Sequence, residues 1–107
     1  MKDLMGLMKQ AQAMQEKMTE AQARLDETEV TGEAGAGMVR VTLTAKGDMV
    51  SVKVDPGVID PSEPEILEDL VKAAHADARR KGEAAQQEIM KEAAGGLQLP
   101  PGMQMPF

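Results

Sequence analysis

Residues 77 to 82 read DARRKG, and Arg79-Arg80-Lys81 is the one run of three basic residues in the chain. Guanidinium and ammonium groups displayed along a helix hold phosphates by hydrogen bonding and by releasing the counterions those phosphates carry. Further bases stand at helical spacing. Lys72 and Arg79, seven apart, share one face, and Arg80 and Lys91, eleven apart, share another. Lys9, Lys17 and Arg24 form a second basic series earlier in the chain. The competing reading is simple solvation of long helices. Glu20–Arg24, Glu68–Lys72 and Asp77–Lys81 are four apart with the acid first, the order that supports a helix by itself.

Other chemistry is thin. His75, the single histidine, sits beside an apolar stripe and has no second ligand at metal spacing. Residues 55–69 hold six acids and no base, but they precede and begin a helix, where negative charge is favoured. With one His and no Cys, the chain offers no nucleophile–base pair, so no enzymatic activity, cofactor, metal or small-molecule substrate is expected. Glycines 32, 35 and 37 mark a loop or bulge that leads into a strand, whereas a phosphate-binding loop leads from a strand into a helix.

The elements that position these residues follow from periodicity. At 107 residues the chain is one small domain. No apolar run approaches a membrane span or a leader core, and the absence of Cys suits a reducing compartment, so a cytoplasmic location is expected. Leu4, Ala11, Met18 and Leu25, with Leu7, Met14 and Ala21 between them, predict a helix over 3–27 with one apolar seam. Residues 28–54 predict three strands: a short one at EVTGE, then Val39, Val41 and Leu43, and Val50, Val52 and Val54, around the Lys46-Gly47-Asp48 turn. A second helix is expected over 62–94, opened by a capping box (Ser62 with Glu65, or Asp60 with Glu63) and striped by Leu67, Val71, Ala74, Ala78, Ala85 and Ile89. Residues 95–107 form an extended Pro-rich tail, in which Leu97, Leu99 and Phe107 are candidates to dock on the helices or sheet. Ten Met and a single aromatic, Phe107, imply a core of Met, Leu, Val and Ala. Helices of this length overhang so small a sheet, which predicts a dimer with projecting arms.

Several stretches are familiar in combination: LMKQAQAMQEKM, VTGEAGAGMVRVTLTAKG, VKVDP, LEDLVKAAHADARRK and the closing GLQLPPGMQMPF. Together they resemble the YbaB/EbfC family of small bacterial nucleoid-associated proteins, from about residue 4 to 107. The resemblance implies an α+β fold: an α-β-β-β-α protomer, with a small antiparallel sheet and two long helices, in a tweezers-like homodimer. It also implies double-stranded DNA binding with little sequence preference, altered DNA conformation, and a place in the nucleoid, serving its organisation, gene regulation or DNA protection. The family's expected DNA contacts are basic positions on the two helices, here Lys9, Lys17, Arg24, Lys72, Arg79, Arg80, Lys81 and Lys91. One departure is visible: Ala76 stands where the family often carries Asn.

Two other classes fit the same elements. Helix–hairpin–helix order with a Met-rich seam (Met8, Met14, Met18) also suits a prefoldin-like holdase, which would show exposed Met at its arm tips and salt-tolerant binding. An oligomeric scaffold that binds neither polypeptide nor DNA is the third. The net charge of −6 does not exclude DNA binding, because basic side chains along projecting helices can track phosphates whatever the total charge of the molecule.

Overall fold

The heptad seam and the three alternating runs become, in chain order, α1 (Lys2–Glu27), β1 (Glu29–Ala34), β2 (Val39–Thr44), β3 (Met49–Val54) and α2 (Pro64–Gly95). A single 3-10 turn at Pro56–Val58 intervenes before α2. The computed structural model describes residues 2–95. The expected tail, with Leu97, Leu99 and Phe107, lies outside the described residues. Each helix is within two residues of expectation, and the first strand is as long as the other two.

The sheet is antiparallel in the order β1-β2-β3. Val39 and Val41 are wholly buried, with Leu43 beside them, and Ala74 and Ala78 of α2 lie on this row. Leu67, Leu70 and Val71 close its flank. Alanines at the contact let the helix lie close to the strands, and Gly32 takes this further. Gly32, read from the sequence both within the EVTGE strand and as a loop or bulge glycine, belongs to β1, paired with Val41. A Cβ on Gly32 would collide with the Ala78 amide nitrogen and the Ala74 carbonyl oxygen. The β1–β2 turn itself uses Gly35, Ala36 and Gly37, all at positive φ.

Beyond the sheet, α2 continues outward and packs on α1. Ala21, Leu25, Ile89 and Met90 are buried together with Ala45, with Met18, Ala85 and Ala93 around them. The result is one arm, and the molecule measures 74 × 25 × 16 Å. Its radius of gyration of 19.9 Å far exceeds the roughly 13 Å of a compact chain of this size. The core is of the expected Met, Leu, Val and Ala type, with Ile89 added and Met90 its one buried Met among the described residues. Met5, Met8 and Met14 stand exposed on α1.

Two local expectations also change. Ser62 does not cap α2: its N–H and hydroxyl both donate to Asp60 Oδ1 (2.9 and 2.7 Å). Pro64 instead begins the helix, with the fixed φ suited to that position. In β3, a bulge opposite Thr42 and Leu43 interrupts the simple alternation, since Ser51 pairs with Thr42 and Met49 with Leu43.

Gly32 and Gly6 give opposite predictions. Gly32→Ala forces α2 off β1 and lowers unfolding free energy by about 3 kcal/mol. Gly6→Ala, with open space around it, raises it by about 0.5–1 kcal/mol if global unfolding includes the arm. Urea denaturation followed by circular dichroism measures both.

Candidate nucleic-acid interface

The sheet-covering row of α2 fixes where its bases point. Given 100° per residue, Lys72 and Arg79 lie on the flank toward the β2–β3 turn. Arg79 there lines a shallow depression with Lys46, Gly47, Gly82 and Gln86. Arg80 and Lys91 point away from the sheet. Lys81 lies on the opposite flank, over the outer edge of β1. The basic triplet therefore points in three directions.

Asp77 explains what Lys81 does. The Glu33 backbone N–H donates to Asp77 Oδ2 at 3.0 Å. Lys81 Nζ sits 3.0 Å from the same oxygen and donates to the Thr31 carbonyl, also at 3.0 Å. Glu33 and Thr31 belong to β1, so one acid and one base of α2 satisfy backbone groups along its outer edge. Arg80 Nη2 donates to Asp77 Oδ1 at 3.2 Å and leaves its head 70% exposed. Arg79, 71% exposed, reaches Glu83 one turn on at 3.3 Å. Such exposed pairs along one helix hold loosely, by well under about 1 kcal/mol, so a phosphate can compete for either guanidinium.

On α1 the three candidates differ. Arg24 does not pair with Glu20 of its own helix but donates to Glu92 of α2 at 2.6 Å. Lys17 is half-buried in the same crease, with Glu20, Ala21 and Ala93. Lys9 stands exposed toward the tip. Among the described residues, no acid lies within ion-pairing distance of Lys9, Lys17, Lys72 or Lys91. The structure thus brings Arg24 and Lys17 together at the helix–helix crease and separates Lys81 from Arg79 and Arg80. The Asp77–Lys81 spacing was legible as a helix-supporting pair, but its reach to β1 had no local signal. Lys46, close to Arg79, was also outside the sequence-derived set.

His75 is half-buried beside the stripe, and the described residues contain no group of His and acids arranged to hold a metal. Among them, no helix is long and apolar enough to cross a membrane.

The Glu33 N–H, and after it the Lys81 hydrogen bond, holds the Asp77 carboxyl below the usual carboxylate range. A depressed folded-state pKa stabilises the fold above the unfolded value of about 3.9, and that contribution fades as pH falls through the folded-state pKa. Asp77→Asn is therefore destabilising at pH 7. The gap between it and the parent protein narrows at pH 3 in urea denaturation.

The comparisons with known proteins agree with this architecture. A nucleoid-associated protein of Maricaulis maris is 86% identical over the whole of both chains. A nucleoid-associated protein of Granulibacter bethesdensis is 55% identical, again over both full lengths. The crystal structure of the uncharacterized protein HP0035 from Helicobacter pylori matches the fold with a TM-score of 0.67 at 20% identity, covering 83% of this chain and 90% of that one. The model of the YbaB/EbfC DNA-binding family matches residues 1–97, and the chain belongs to that family.

Proposed function

We propose that this protein binds double-stranded DNA as a homodimer with little sequence preference, alters the conformation of the duplex, and acts in the nucleoid. Family membership gives the class of partner. The observation that carries the surface is the exposure of Arg79 and Arg80, whose partners Glu83 and Asp77 lie on the same helix and leave each head free to exchange onto phosphate. Lys72 and Lys91 extend this surface along α2, and Lys9, Lys17 and Arg24 extend it along α1. No Phe, Tyr or Trp stands among these bases, which favours a duplex backbone over stacked single strands. Lys81 is a positioning residue for α2, tied to Asp77 and Thr31.

Dimerisation is supported by the unequal edges of the sheet. The edge of β1 carries Asp77 and Lys81. In contrast, Val52 and Val54 of β3 pair with the buried Val41 and Val39, on the face that α2 covers over the first two strands. Val52 nevertheless stays 42% exposed, with Met49 and Val50 more exposed still. An apolar edge strand of this kind is the natural place for a second copy to pair.

A holdase reading is favoured by one observation, the exposure of Met5, Met8 and Met14 on the arm. Salt separates the two. Fluorescence anisotropy of an arbitrary labelled duplex is expected to show affinity falling steeply as salt rises. The double variant Arg79→Ala/Arg80→Ala should flatten the slope of log K against log salt by about 2 for each protomer that contacts the duplex, and Lys81→Ala by less than about 1 per protomer. In the same titration, Val52→Lys, checked by sedimentation, should give a monomer that binds more weakly. Failure of the parent protein to bind at low salt would remove the DNA reading. Salt-insensitive capture of a denatured polypeptide would install the holdase.

A further inference from the structure

The apolar seam of α1 is only half used. Its inner half, Met18, Ala21 and Leu25, packs on Ile89, Met90 and Ala93 of α2. Its outer half, Leu4, Leu7, Ala11 and Met14, continues the same stripe beyond the end of α2. Leu4 and Leu7 remain 60% and 61% exposed, and Met14 46%. A row of large apolar side chains in line with a packed seam needs an occupant.

The chain that follows α2 is placed to supply it. Because α2 runs antiparallel to α1 along the arm, with Arg24 bound to Glu92, Gly95 ends just past Ala93, which packs against the inner seam, and points toward the tip. The twelve residues 96–107 that follow reach at most about 40 Å. The seam from Met14 to Leu4 needs only about 15 Å. Their sequence, GLQLPPGMQMPF, has no charged side chain, and its large apolar residues all fall at odd positions: Leu97, Leu99, Met103, Met105 and Phe107. Pro100, Pro101 and Pro106 oppose a helix. Period-2 spacing gives a non-helical segment one apolar edge. Gln98 and Gln104 fall on the other edge.

We propose that residues 97–107 of each chain lie along the outer half of the α1 seam of the same chain, covering Leu4, Leu7, Ala11 and Met14. The strap makes the arm a two-stranded unit to its tip and withdraws its apolar row from other polypeptides. A second copy or a non-native chain competes for the same row, but neither is delivered to it covalently, as this segment is by the end of α2.

The chain has no Trp, Tyr or Cys, so the test uses full-length protein with introduced probes. Phe107→Trp provides a single fluorophore at the end of the strap. Its emission is expected to be blue-shifted and slow to quench with acrylamide. Leu4→Ser/Leu7→Ser in the same chain, exposed positions that leave the buried core intact, should move it to the solvent-exposed value. Separately, Leu7→Cys/Met105→Cys is expected to oxidise to a disulfide within one chain, seen as altered mobility at monomer mass. Solvent-exposed emission from the outset would overturn the proposal, as would blue-shifted emission that ignores the α1 substitutions. Cross-linking only between chains would overturn it in favour of a second copy as the occupant, and the absence of any cross-link would overturn it outright.

Discussion

The close approach of α2 to β1 governs the rest of the molecule. Gly32 removes the side chain that would hold Ala74 and Ala78 away, and the buried valines of β2 then meet an alanine surface. Asp77 and Lys81 lock the same approach from the flank by bonding the Glu33 amide and the Thr31 carbonyl. Everything distal inherits this placement. Because α2 is fixed along β1, its last turns run out over α1, and Ile89 and Met90 meet Ala21 and Leu25. The same constraint decides which bases face solvent and which are bound to the sheet.

Two edges of one sheet have been treated oppositely. Side chains from α2 occupy the outer edge of β1, which removes it as a site for strand addition. At β3 the helix provides no cover, and Met49, Val50 and Val52 stay exposed. The face of the sheet away from α2 is polar, with Arg40 reaching Glu33 at 3.6 Å and the Thr31 and Thr42 hydroxyls bonded at 2.9 Å. Within the sheet, exposed apolar surface is therefore confined to β3. The same directional logic applies to charge: a molecule of net charge −6 still presents Arg79, Arg80, Lys72 and Lys91 on α2 with its acids concentrated at the sheet-side turns and the start of that helix.

Much of this was legible in the sequence. Period 7 over Leu4–Leu25 and period 2 over Val39–Leu43 fixed element type and order, because each reports which side of a local element is buried. Gly32 was read both in the EVTGE strand and, with the turn residues Gly35 and Gly37, as a loop or bulge glycine, because a glycine required by a helix on its far side leaves no local trace. Arg24 was assigned to Glu20 by spacing, whereas Glu92, 68 residues away, holds it. The basic triplet was recognisable as a cluster, but its division into two exposed arginines and one anchoring lysine depends on the strand packed beneath. Ser62 looked like a cap by type and spacing, yet Asp60 two residues earlier captures its hydroxyl. Local chemistry was readable; long-range pairing was not.

The four arginines offer the most direct test, because each sits in a different place: Arg24 in the helix–helix crease, Arg40 on the open sheet face, Arg79 and Arg80 on α2. Their side-chain Nε–Hε resonances can be followed by NMR while an arbitrary duplex is titrated into the protein. The account predicts that Arg79 and Arg80 shift and broaden most, while Arg40 stays where it is. Perturbation of Arg40 with Arg79 and Arg80 unmoved would contradict it, and would place the duplex on the open face of the sheet.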